Sequence, residues 1–190
     1  KEDILGDKMT AFAPNTIGIP YFKKDRECNM EIIKQLYDIN RLFENVDDFG
    51  PAYESFLKVS NVELGYRGLE GRLNEYFEDV RQTAICIATR GQAGNGDINF
   101  FMSGIKRVKS FMYQEKYQIE EAIKDASRAA YLATCFEKGV LAIEKYPKDK
   151  PEVVLTMEIS DALPTKLRKL RSVIPEAYYY WAKVDELLKS

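Results

Sequence analysis

Apolar residues recur at helical spacing along most of the chain, most clearly over residues 29–45. At 100° per residue, five apolar side chains in and just after this stretch fall on one narrow stripe, which is typical of a helix with one face in a core. The stripe consists of Ile32, Leu36, Ile39, Phe43 and Val46. Lys34 and Asp38 lie together on the opposite side. The pattern therefore predicts an amphipathic helix that leaves a charged pair outside the core.

The same spacing predicts further helices along the rest of the chain. They cover residues 2–13, 52–59, 64–88, 98–113 and 119–145, and two final helices begin near Pro164 and Pro175. Asp97 is a natural N-cap for the helix over 98–113. Residues 152–159 fit a strand or a helix, because the stretch is too short for its period to decide. We therefore expect a mainly α protein built as a multi-helix bundle, with a break in the chain at Gly50 and Pro51.

Composition excludes several classes of chemistry. The 190 residues contain no histidine, which removes histidine-based acid–base and nucleophilic catalysis. Cys28, Cys86 and Cys135 are far apart and lack CxxC spacing, so they fit reduced thiols in the cytosol better than disulfides or a zinc site. The net charge of −2 gives no global attraction to nucleic acid or membrane. Any catalysis must depend on carboxylates, lysine or a hard metal, in a protein that we expect to be soluble and cytoplasmic.

The charged residues on the first two predicted helices each have two interpretations. A lysine four residues before an aspartate is the weaker order for a helix ion pair, worth at most about a few tenths of a kcal/mol, so helix stability explains Lys34 and Asp38 poorly. The simpler interpretation is a solvated pair. Lys8 lies on the shoulder of its helix's apolar stripe, where a lysine either extends its ammonium to water or, at a cleft, presents it to phosphates.

Two segments also carry a resemblance to a known family. ILGDKMTAF, at residues 4–12, and EIIKQLYDINRLF, at residues 31–43, resemble the later part of the AbiEii-type nucleotidyltransferase toxins, a branch of the polymerase-beta-like nucleotidyltransferases. In that family one helix supplies a lysine and the next supplies an aspartate. Lys8 matches the lysine and Asp38 the aspartate, with Lys34 where the family usually has arginine.

The resemblance implies a bacterial toxin of a toxin–antitoxin or abortive-infection system, which transfers a nucleotide from an NTP to an acceptor such as tRNA. Lys8 would contact the triphosphate, Asp38 would orient or deprotonate the acceptor hydroxyl, and Lys34 would hold Asp38. The family's glycine–serine turn and its Mg²⁺-binding Asp-x-Asp are expected upstream, in an α/β catalytic part. Residues 1–48 would then end the nucleotidyltransferase core, and residues 49–190 would form a C-terminal helical domain. We expect these 190 residues alone to bind no cofactor and to be inactive, and we expect a cognate antitoxin protein as partner.

A basic stretch indicates an alternative function. It contains Lys106, Arg107, Lys109 and Lys116, with Phe111 and Tyr113 interleaved. Such a surface can follow an RNA backbone, tRNA included, and stack its bases, although most such runs are only a solvated helix face. The alternative is therefore a helical protein- or RNA-binding module without catalytic activity. A third interpretation is an unrelated helical protein in which Lys8, Lys34 and Asp38 all face solvent.

Overall fold

The computed structural model describes residues 1–111 and 117–190, and within them the chain is mainly helical. The α-helices are α1 (Glu2–Ala11), α2 (Asn29–Asn45), α3 (Gly50–Tyr66), α4 (Leu73–Ala88), α5 (Ile98–Val108), α6 (Ile119–Glu137), α7 (Leu170–Val173) and α8 (Pro175–Lys189). Strands β1 (Phe22–Lys23) and β2 (Arg26–Glu27) form a short antiparallel hairpin, and 3-10 turns cover Lys109–Phe111, Pro151–Leu155 and Thr165–Lys169. The predicted multi-helix bundle is confirmed.

A single hydrophobic core runs through the bundle, with α6 at its centre. Helix α6 packs against α4, α8 and α2, while α1 packs against α3 and α2. The alanines of α6, including Ala126, Ala130 and Ala133, are completely buried, because small side chains allow the neighbouring helices to approach closely. The turn between α2 and α3 contains the predicted boundary at residues 48 and 49. The core continues across it, since the ring centroids of Phe43 and Phe49 are 5.6 Å apart.

Two predicted helices have the wrong limits, and glycine conformation explains both. The helix predicted over 64–88 is two helices, because Gly68 and Gly71 adopt left-handed φ values of 66° and 76° between α3 and α4. The helix predicted over 119–145 ends at Glu137, just before Gly139 with its φ of 67°. Periodicity alone did not reveal these turns, since apolar residues continue on both sides of each one.

The other predicted helices also have different limits, and the helix predicted over 98–113 ends at Val108. The helix predicted over 52–59 is the longer α3, and the helix predicted over 2–13 ends at Ala11. Asp97 caps α5 as predicted, because its side chain accepts a hydrogen bond from the Asn99 backbone N–H. Pro175 begins α8, whereas Pro164 precedes a 3-10 turn that continues into α7. The undecided stretch, residues 152–159, overlaps the 3-10 turn Pro151–Leu155, and its described residues form neither a strand nor an α-helix.

Two further expectations concern membrane crossing and disulfide bonds. Within the described ranges, none of the helices combines the length and the apolar character that crossing a membrane requires. Cys28, Cys86 and Cys135 are buried and unbridged.

Candidate functional site

The structure brings the three predicted charged residues together on neighbouring helices. The Nζ atom of Lys8, on α1, lies 3.1 Å from Oδ2 of Asp38, on α2. The Nζ atom of Lys34 lies 3.0 Å from the same oxygen. Two ammonium groups therefore converge on one carboxylate, and the cluster has an excess of one positive charge. Lys8 and Asp38 do not lie on opposite faces, although they are 30 positions apart in the sequence.

This cluster lies at the surface of the bundle, with its two central members partly covered. The side chains of Lys8 and Asp38 are 26% and 24% exposed, and Lys34 is 56% exposed. Gln35 also contributes, since its Oε1 accepts a 2.9 Å hydrogen bond from Lys8 Nζ. Solvent therefore reaches the charges, while the stems of Lys8 and Asp38 are held against the two helices. An anionic ligand can reach both ammonium groups from the outside.

Helix α1 is fixed closely against the rest of the bundle around Lys8. A Cβ atom added at Gly6 would lie 2.3 Å from the backbone oxygen of Ala52 in α3, so the two helices approach to within backbone contact. The buried Tyr76 hydroxyl donates a 2.9 Å hydrogen bond to the backbone oxygen of Met9, the residue after Lys8. The backbone of α1 that carries Lys8 is therefore held by packing on both sides of the helix.

The loop after α1 is held by a buried carboxylate that the sequence interpretation missed. Asp79 of α4 is 6% exposed and accepts hydrogen bonds from the Asn15 backbone N–H (2.9 Å), the Asn15 side chain (2.7 Å) and the Thr16 hydroxyl (2.9 Å). The guanidinium of Arg67 donates to backbone oxygens of residues 16–18. The available signal was a carboxylate on the apolar face of its helix, three residues after Tyr76, where an aspartate needs hydrogen-bond donors.

Helix α2 is anchored by polar contacts at both ends. Near its start, Arg107 of α5 donates a 2.9 Å hydrogen bond to Asn29 Oδ1. Near its end, the buried Arg128 of α6 donates to Asn40 and pairs with Glu44 at 2.6 Å. In the first turn of α2, Glu31 pairs with Arg26 of the hairpin at 2.9 Å. These contacts fix the position of α2, and with it the backbone of Asp38, relative to α1.

A polar cleft of about 690 Å³ lies between α2 and α6. Tyr37, Asn40 and Arg41 of α2 contribute to one wall, and Asp125 and Arg128 of α6 contribute to the other. Asp125 is buried and accepts a 2.8 Å hydrogen bond from the Tyr117 hydroxyl. Burial raises the pKa of Asp125 from 3.8 to about 7, against the opposing effects of the Tyr117 hydrogen bond and the Arg128 charge.

The predicted basic surface is divided in the structure. Lys106 and Lys109 are exposed and border a shallow cavity of about 630 Å³ together with Gln118. Arg107 is turned toward Asn29 of α2 instead. Lys116 and Tyr113 lie outside the described residues, as does the side chain of Phe111. The structure therefore places two of the four predicted basic residues on one common surface.

No group of three or more Asp, Glu, Cys or His side chains suited to a metal ion forms among residues 1–111 and 117–190. The Asp38 carboxylate is occupied by two ammonium groups, which does not fit a Mg²⁺ ligand in this arrangement. Comparison with known proteins gives no further guide, because no protein-family model, curated protein or solved structure matches the chain.

Proposed function

We propose that this chain is the C-terminal part of a nucleotidyltransferase toxin that transfers a nucleotide from an NTP to an acceptor such as tRNA. The observation that supports the proposal is the 3.1 Å approach of Lys8 Nζ to Asp38 Oδ2. The resemblance assigns functions to these two residues, and they meet from separate helices in a partly covered position.

The proposed chemistry uses the charge of the cluster. The transition state of nucleotidyl transfer spreads negative charge over phosphate oxygens, and a positioned cation stabilises it. Lys8 is suited to this role as a compact charge at the end of a flexible stem. When Lys8 moves onto a bound triphosphate, Asp38 retains Lys34 and is available to accept a hydrogen bond from the acceptor hydroxyl. Lys34 thus positions Asp38 during the exchange.

The Mg²⁺ ion implied by the resemblance requires a separate ligand set. The described residues do not provide one, and the steps above depend only on Lys8, Lys34 and Asp38. The resemblance assigns metal binding to an upstream Asp-x-Asp, and the proposed protein partner is a cognate antitoxin.

The test is transfer of radiolabelled nucleotides from each of the four NTPs to total tRNA by the full-length protein. We expect Lys8→Ala and Asp38→Asn each to reduce transfer by about 100-fold or more, as removal of a transition-state contact does. Lys34→Arg should retain most of the activity, and Lys34→Ala should lose more of it. Lys58→Ala on α3 and Asp25→Asn in the hairpin turn are matched controls, since both residues are exposed. Equal transfer by Lys8→Ala, Asp38→Asn and the controls would remove both residues from the mechanism.

A second candidate is the helical protein- or RNA-binding module without catalysis. The observation that favours it is the shared exposed surface of Lys106 and Lys109 beside a cavity. The Lys106→Ala, Lys109→Ala double variant separates the two functions. It should weaken binding to tRNA and leave transfer to a saturating acceptor unchanged if the module only assists the enzyme. If tRNA binding is lost and no transfer is detected in any variant, the module is the better description.

A further inference from the structure

The hairpin before α2 separates its side chains onto two faces of different chemistry. Phe22 pairs directly with Glu27, and Lys23 pairs with Arg26. Because residues opposite each other in an antiparallel pair project to the same side, Phe22 and Glu27 share one face and the two basic residues share the other. Arg26 is engaged on its own side by Glu31 of α2. The face that contains Phe22 therefore contains neither Lys23 nor Arg26.

That face forms a cleft of about 510 Å³ with the start of α5. The walls include Phe22, Glu27, Asp97, Asn99, Phe100 and Ser103. The ring centroids of Phe22 and Phe100 are 5.9 Å apart, and Tyr21, which also lines the cleft, makes an edge-to-face contact with Phe100 at 5.3 Å. Phe22 is 56% exposed, which is unusual for a large aromatic residue. We call this the hairpin cleft.

The charges of the hairpin cleft are all of one sign. Its described walls contain the carboxylates of Glu27 and Asp97 and no lysine or arginine. Both carboxylates are held in place, since Asn29 donates to Glu27 Oε2 at 3.0 Å and the Asn99 N–H donates to Asp97 Oδ1 at 2.8 Å. The Asp97 charge also offsets the positive end of the α5 dipole. The cleft thus combines aromatic faces with fixed negative charge.

We propose that the hairpin cleft binds an arginine side chain of a partner protein. A guanidinium group stacks on aromatic rings and donates paired hydrogen bonds to carboxylates, so it uses both features of the cleft together. A lysine matches the charge but lacks the planar surface for stacking. A nucleic-acid strand would bring phosphates toward Glu27 and Asp97, which repel them. The proposal does not depend on nucleotidyl transfer.

The experiment is an NMR titration of the ¹⁵N-labelled chain with a short acetylated peptide that has one arginine between serine and glycine residues. We expect saturable shifts of backbone amides in residues 21–27 and 96–103. The same peptide with citrulline, which keeps the shape and lacks the charge, should bind about fivefold more weakly or worse, as expected for the loss of an ionic contact.

Three variants and one control locate the contact. Phe22→Ala, Glu27→Gln and Asp97→Asn should each weaken arginine-peptide binding, and asparagine at position 97 retains the helix cap. Asp25→Asn removes the same charge from the exposed hairpin turn and should leave binding unchanged. The proposal is overturned by equal binding of the citrulline peptide, by shifts that map elsewhere, or by an equal effect of Asp25→Asn. Tighter binding of a short oligouridylate at these residues would also overturn it and assign the cleft to single-stranded nucleic acid.

Discussion

The hydroxyl of Tyr117 donates a 2.8 Å hydrogen bond to Oδ2 of Asp125, inside the wall of the cleft between α2 and α6. A carboxyl group in this position is costly to ionise, because burial removes its hydration. The result is a titration near neutral pH in a protein that has no histidine. The stability of the fold should therefore depend on pH in a range where most proteins of this composition show little change.

Asp125→Asn should make the protein more stable at pH 8 and have less effect at lower pH. The pKa of Asp125 is about 7 in the folded chain against 3.8 ordinarily, so its contribution is fully present below about pH 4 and is lost as the pH rises through 7. We expect the variant to exceed the wild type by about 2–4 kcal/mol at pH 8, with the difference shrinking toward pH 5. Urea denaturation at pH 5, 6.5 and 8 measures it. Glu121→Gln, on the same helix but more exposed, is the control, and a gain that is constant with pH would contradict the assignment.

Gly6→Ala should destabilise the protein, although alanine is the better helix former. The added methyl group would collide with the α3 backbone at Ala52, and such overpacking costs about 1–3 kcal/mol. Gly65→Ala is the matched control, because no atom lies within 4 Å of the new methyl group. That variant should be more stable by about 0.5 kcal/mol. Thermal or urea denaturation measures the change in stability of both variants. A change of the same sign in both would show that α1 and α3 separate easily.

Asp79→Ala should release the loop that follows α1. The substitution leaves the donors of Asn15 and Thr16 without their acceptor, at a cost of about 2–4 kcal/mol. Amide hydrogen exchange at Asn15 should become faster even where the variant remains folded. Glu70→Ala, an exposed carboxylate in the turn before α4, should change stability by about 0.5 kcal/mol or less. Unchanged protection of Asn15 would show that other contacts hold the loop.

The pair of Lys8 and Asp38 should contribute little to stability. Both side chains are about a quarter exposed, and pairs of this kind are worth about 1 kcal/mol or less. A double-mutant cycle with Lys8→Met and Asp38→Asn should therefore give a coupling energy below about 1 kcal/mol, which falls further with added salt. A coupling energy well above that value would make the pair primarily structural. A small value allows a loss of transfer activity in these variants to be attributed to the site.

The helices that carry the site could be predicted because their buried residues recur at the spacing of an α-helix. Ile32, Leu36, Ile39 and Phe43 were placed on one stripe, and all four are buried in the structure. The same argument failed at Gly68 and Gly71, where the left-handed backbone of the two glycines ends one helix before the next begins, although apolar residues continue on both sides. The number of residues between two helices in the sequence also does not determine how far apart the helices lie in the fold. The meeting of α1 and α2 was therefore expected only from the family resemblance.

The features found only in the structure depend on very short elements or on single buried polar groups. The hairpin has two residues in each strand, which is too few for an alternating pattern to predict it. In the sequence, Asp79 is one of several charged residues on its helix. Its structural role depends on hydrogen-bond donors that lie more than 60 residues away in the sequence. The hairpin cleft likewise joins residues of two distant segments. Such combinations can be recognised only once the tertiary fold is known.

The burial of α8 in the shared core gives the molecule a built-in fluorescence reporter. The chain has one tryptophan, Trp181, which is completely buried in α8. Helix α8 packs against α6, α6 against α2, and α2 against α1, so unfolding of this packed set exposes the indole to water. A change in tryptophan emission should therefore accompany unfolding of the bundle, and denaturation of the variants can be followed by fluorescence on unlabelled protein.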